Sequence, residues 1–122
     1  MRYGWPTIST TPQKRPRAAR YPLVASVVLI DLESGRKTTE RICNLSLFGC
    51  LVVPGDTSAV GTRVRIQITH NGEVFDALGR VMNSRPVTGI GVAFTKVEDH
   101  QQSVLEKWLA GLRYRKATPV KV

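Results

Sequence analysis

Residues 62–83 read TRVRIQITHNGEVFDALGRVMN. Val64, Ile66 and Ile68 alternate with Arg63, Arg65 and Gln67, the two-residue period of a strand with one buried and one solvated face. Asn71-Gly72 follows, the dipeptide of a type I′ turn, in which both central residues need positive φ. Residues 73–83 return as a second strand. An antiparallel hairpin is predicted, with strands over 62–69 and 73–83.

Working outward, the same logic repeats. Upstream, residues 22–31 (PLVASVVLID) are apolar and β-branched, and Glu33-Ser34-Gly35 supplies a turn. Residues 36–45 (RKTTERICNL) make a strand that is polar on one side, and residues 50–53 (CLVV) a short one ended by Pro54-Gly55. Downstream, residues 89–94 (GIGVAF) are reached past Pro86. From Glu98 the period changes: Val104, Leu105, Trp108, Leu109 and Leu112 recur at helical spacing. This predicts a helix over about 98–113, with Glu98 and Asp99 suiting the positive end of its dipole and Arg113 the negative end. Trp108 lies on its apolar face and should pack against the strands. Met82 reads as a core residue. Six antiparallel strands and a terminal helix imply an all-β domain, a closed or nearly closed barrel whose opening the helix covers.

The 122 residues are 42% hydrophobic and 22% charged, as expected for one globular domain with its own core. No apolar run approaches the ~18 residues of a membrane span, and residues 1–20 lack the apolar region of a signal peptide, so a cytoplasmic protein with no membrane insertion is expected. Cys43 and Cys50 are the only cysteines and sit among apolar neighbours, which suits reduced core thiols better than a disulfide framework. The net charge of +9 is confined to the ends: residues 1–20 hold five basic residues and residues 113–122 four, with no acid, whereas residues 21–112 balance nine against nine. Such a chain meets an anion with its extensions, not with the face of the fold. The reading is therefore a leader over 1–13, a barrel domain over 14–113 and a basic tail over 114–122.

Catalytic patterns are missing. His70 and His100 have no partner at metal-ligand spacing, and Asp31 and Glu33 flank a turn where solvated acids are ordinary. Gly89-Ile90-Gly91 enters a strand, so it lacks the helix that phosphate binding requires. Neither a metal nor a cofactor is expected, and the chain does not read as an enzyme. Two segments remain. Residues 14–22 (KRPRAARYP) offer arginine forks that match phosphate oxygens and the O6/N7 edge of guanine. Residues 44–49 (NLSLFG) set an amide and a hydroxyl two positions apart, on one face of an extended chain, before a glycine. A forked donor beside a polar acceptor pair would hold a guanine nucleotide along two of its edges.

The arginine-rich arm, N-x-S-x-x-G after the second strand and G-I-G-V-A-F before the amphipathic helix together resemble the PilZ domain family, from about Arg15 to Arg113. The resemblance implies a six-stranded antiparallel barrel that binds cyclic di-GMP, a bacterial second messenger, and passes the signal to a protein partner. The family pattern, R-x-x-x-R in the arm followed by D/N-x-S-x-x-G, puts Arg20 at the second arginine and implies that Asn44 and Ser46 contact guanine, with Gly49 closing the motif. The first arginine position is occupied by Pro16, with Arg15 and Arg17 on either side. In an extended chain a one-residue offset moves a side chain by roughly 3.3 Å and to the opposite face. If neither arginine reaches a phosphate, affinity falls by ~1.5–3 kcal/mol. Two other readings stand beside this one: a PilZ-like adaptor that does not bind the nucleotide, and a basic nucleic-acid-binding protein.

Overall fold

The computed structural model describes residues 19–53, 59–85 and 88–117. Among them are six strands, β1 (Tyr21–Asp31), β2 (Lys37–Leu45), β3 (Gly49–Val53), β4 (Arg63–His70), β5 (Glu73–Arg85) and β6 (Gly89–Lys96), followed by helix α1 (Asp99–Ala117). All pairings are antiparallel, and the order β1-β2-β3-β6-β5-β4 closes through pairing of β4 with β1. The expected barrel with its C-terminal helix is the observed one.

The hairpin that anchors the reading forms as its sequence requires. Asn71 and Gly72 both take positive φ, 53° and 77°, and His70 pairs with Glu73 across the turn. Each strand sends a fully buried side chain inward: Val27, Ile42, Val52, Ile66, Phe75 and Ile90. Leu105, Trp108, Leu109 and Leu112 of α1 complete that core, with the helix lying against β5 and β1. The apolar repeat stops at Leu112, but α1 continues to Ala117, because Arg, Lys and Ala favour helix and nothing interrupts the chain before Pro119. No helix among the described residues is long and apolar enough to cross a membrane.

Of four register shifts among the strands, two bear on the site. Ile42 faces Val52 while Asn44 faces Leu51, leaving Cys43 as the extra residue of β2. Val81 faces Val92 while Asn83 faces Gly91, leaving Met82 as the extra residue of β5. Cys50 is a buried thiol, as expected, but Cys43 at the first bulge is only half-buried; both are free. Burial pushes the Cys50 thiol up to about 12, which leaves it without the thiolate that reactivity needs. Met82 is not a core residue. Alternation from the buried Val81 already points it outward, and it is 55% exposed.

Polar contacts clamp α1 to the hairpin. Lys107 Nζ donates to Glu73 Oε2 at 2.7 Å and the Trp108 indole N–H to Glu73 Oε1 at 3.1 Å. At the helix start, the Gln101 side-chain oxygen accepts the Asp76 backbone N–H, and the Asp76 carboxylate takes both donors of an Arg65 fork. Hydrogen bonds from Lys107 and Trp108 hold the Glu73 carboxyl below its ordinary value of 4.5. A depressed carboxylate stabilises the fold at pH values above its unfolded value, and that contribution fades as pH falls through the folded one. Protection of the α1 amides against exchange, relative to their intrinsic rates, is therefore expected to fall below about pH 4.5 in the native chain, and less so in Glu73→Gln, which has no charge to lose.

Candidate functional site

The loop between β2 and β3, Asn44 to Gly49, is organised around one hydroxyl. Ser46 Oγ accepts the backbone N–H groups of Phe48 (3.2 Å) and Gly49 (3.1 Å) and donates to the Gly49 carbonyl (3.2 Å). The Ser46 N–H reaches the same carbonyl at 2.8 Å. With one donor and two lone pairs engaged, the hydroxyl is saturated, and Ser46 is only 5% exposed. Gly49 has a steric reason to be there. A Cβ at that position would run into the Val92 carbonyl oxygen, so only glycine lets β3 lie this close to β6.

Asn44 is half-buried within the sheet, opposite Pro22 of β1 and Leu51 of β3. Its Oδ1 is enclosed and has no hydrogen-bond partner among the described residues, a state that costs ~1–3 kcal/mol when a buried acceptor stays unmade. The pairing of Tyr21 with Leu45 brings Arg20, at the entry of β1, level with Ser46. Arg20 is exposed, and its charge counters the upward push on the Cys50 thiol. Arg20, Ser46 and Gly49 line one exterior cavity of about 160 Å³ together with Phe48, Met82 and Asn83. The structure thus gathers three of the expected site residues in one place, with Asn44 two positions before Ser46. Arg15 and Arg17, like Pro16, lie outside the described residues.

The sequence reading did not single out Phe48, Met82 and Asn83 as site residues. Phe48 lies inside the quoted loop and is 55% exposed. The signal for the other two is a broken alternation: Phe75, Ala77, Gly79 and Val81 face inward, so strict period two would bury Asn83. A polar amide at an inward position of a strand marks a bulge.

A larger hollow of about 420 Å³ lies where α1 begins, lined by Arg65, Asp76, His100 and Gln101 among others. Arg65, Asp76 and Gln101 are engaged with one another there, and Lys96, Glu98 and His100 also line the hollow. Among the described residues no group of three or more His, Cys, Asp and Glu side chains could hold a metal.

The sequence profile of the PilZ domain family matches residues 13–111. The chain belongs to the PilZ domain family. PilZ domains are receptor or adaptor domains, and the family is one of cyclic di-GMP receptors. Solved PilZ structures share the fold. The PilZ domain of CeSA from a cellulose-synthesising bacterium is 20% identical, with a TM-score of 0.64 over 79% of this chain and 99% of that one. The PilZ domain of YcgR from Escherichia coli, solved with c-di-GMP, is 15% identical, with a TM-score of 0.63 over 84% of this chain and 94% of that one. The Bacillus subtilis inhibitor of motility, MotI/DgrA, is 15% identical with a TM-score of 0.66, covering 84% of this chain. This PilZ chain spans 52% of that protein. No curated protein sequence matches it.

Proposed function

We propose that this PilZ domain binds cyclic di-GMP in the cavity beside the β2–β3 loop and couples binding to a downstream protein partner through its arginine arm, without catalysing a reaction. The observation that carries the reading is the convergence of Arg20, Ser46 and Gly49 on one exterior cavity. In this reading Arg20, with Arg15 and Arg17 of the arm, grips phosphates and guanine edges through forked N–H donors. Asn44, enclosed and outside the cavity lining in this structure, turns its oxygen outward to guanine N–H groups in this reading, a bond that would remove the cost of leaving it unmade. Ser46 acts through the loop it holds, and Gly49 keeps the floor of the cavity tight against β6. A ligand seated between arm and barrel favours arm positions that cover it, and this population shift is what a partner would sense. No metal or cofactor takes part, nucleic acid is not the partner, the domain does not insert into a membrane, and the proposed compartment is the cytoplasm.

Titration calorimetry with cyclic di-GMP at two salt concentrations tests this. The wild-type chain is expected to bind with a shallow salt dependence, because the ligand has only two phosphates, and Arg20→Ala to weaken binding about tenfold or more. Unchanged affinity in Arg20→Ala overturns the site. A folded chain that ignores the nucleotide points to the adaptor reading, and affinity for nucleic acid that collapses with salt points to the third.

A further inference from the structure

The bulge in β5 leaves a trace on the cavity wall. Because two residues of β5 oppose one of β6, the Gly91 N–H is met by a side chain: Asn83 Oδ1 accepts it at 3.2 Å. An amide whose oxygen is held by a fixed donor keeps its two NH₂ hydrogens to donate. Asn83 Nδ2 has no partner among the described residues, and Asn83 is exposed on the wall of the cavity that Arg20, Ser46 and Gly49 share. Gly91 is part of the arrangement, since a Cβ there would lie 2.8 Å from Asn83 Nδ2 and 2.9 Å from its Oδ1. Phe48 and Met82, each 55% exposed, line the same cavity. It therefore combines a guanidinium, an amide with free donor hydrogens and two apolar side chains, a set suited to a planar base with an acceptor edge.

We infer that Asn83 is a base-selecting residue of this site beside the arginine forks, donating an Nδ2 hydrogen to guanine O6 while Gly91 holds its oxygen. This rests on the cyclic di-GMP reading above. Guanine and adenine share N7, but where guanine has the O6 acceptor adenine has an N6 donor. A fixed N–H donor therefore favours guanine, and a fixed acceptor favours adenine.

Asn83→Asp separates this role from a structural one. The carboxylate still accepts the Gly91 N–H but has no hydrogen to donate. Cyclic di-GMP and cyclic di-AMP carry the same phosphate charge, so repulsion by the new carboxylate cancels in the ratio of their affinities. The wild type is expected to prefer cyclic di-GMP, and Asn83→Asp to lower that preference by about tenfold or more. Asn83→Ala, which loses donor and latch together, is expected to lower it too and serves if the aspartate variant does not fold. An unchanged ratio in the folded variants overturns the inference, as does a wild type with no preference. If Arg20→Ala weakens both dinucleotides while the Asn83 variants leave the ratio alone, the site stands and only the selector falls. A wild type that binds neither dinucleotide removes both.

Discussion

Trp108→Ala is expected to lower the stability of the domain by about 3–5 kcal/mol, the usual cost of deleting a large aromatic side chain from a core. Against the 5–15 kcal/mol that holds a typical domain together, this is a large fraction, and the melting temperature should fall by roughly 10–25 °C. The residue is 5% exposed and meets the hairpin from several sides. The His70 ring stands edge-on to the indole at 5.1 Å, Phe75 lies 6.3 Å away, and Glu73 accepts the indole N–H. The conservative control is Trp108→Phe, which keeps an aromatic ring but drops the donor and should cost only ~1 kcal/mol for the lost hydrogen bond, plus a small packing term. Denaturant melts of the three proteins decide it. A loss below 1 kcal/mol for the alanine variant means that α1 is not needed to complete the barrel core. A reduced slope, by contrast, means that the helix has detached before the rest unfolds.

Ser46→Ala is expected to lower both stability and cyclic di-GMP affinity, and to act through the backbone. Removing the hydroxyl strands two N–H groups, those of Phe48 and Gly49, at ~1–3 kcal/mol for a group left without a partner. The loop would lose the geometry that brings Gly49 onto β6. Amide exchange in the ligand-free protein gives the decisive readout, because the Phe48 and Gly49 amides should lose protection before any nucleotide is added. Ser46→Thr keeps the hydroxyl and should restore that protection if its extra methyl is accommodated. Weakened binding with loop protection unchanged would mean instead that the hydroxyl meets the ligand itself.

The hairpin over residues 62–83, the six strands and the apolar face of α1 were legible because each follows from one period and one turn. What the sequence hid was where the period slips. Continuing the alternation from Ile42 through Asn44 to Ser46 sets the amide and hydroxyl on one face. The extra residue Cys43 breaks that register, and Ser46 leaves the strand to pin a loop. The slip at Met82 kept Asn83, due inward by strict alternation, on the cavity wall, whereas Met82 itself faces outward by the plain alternation from Val81, which the expectation of a core methionine overlooked. A bulge depends on the neighbouring strand, as at Asn83, whose side chain Gly91 of β6 admits, so a single strand's pattern does not display it. Arg20 was legible as a forked donor. Its nearness to Ser46 depends on the register of β1 against β2, which no local pattern encodes.

Ring closure has a consequence for recognition. With every strand flanked on both sides, the described residues contain no edge strand, and only overhanging ends such as residues 37–40 of β2 lack a partner on one side. Recruitment by strand addition along a full strand therefore has no edge to use among the described residues. A partner must read side chains, and large apolar ones such as Val24, Val74 and Met82 can stand in water without inviting edge-to-edge stacking into fibres.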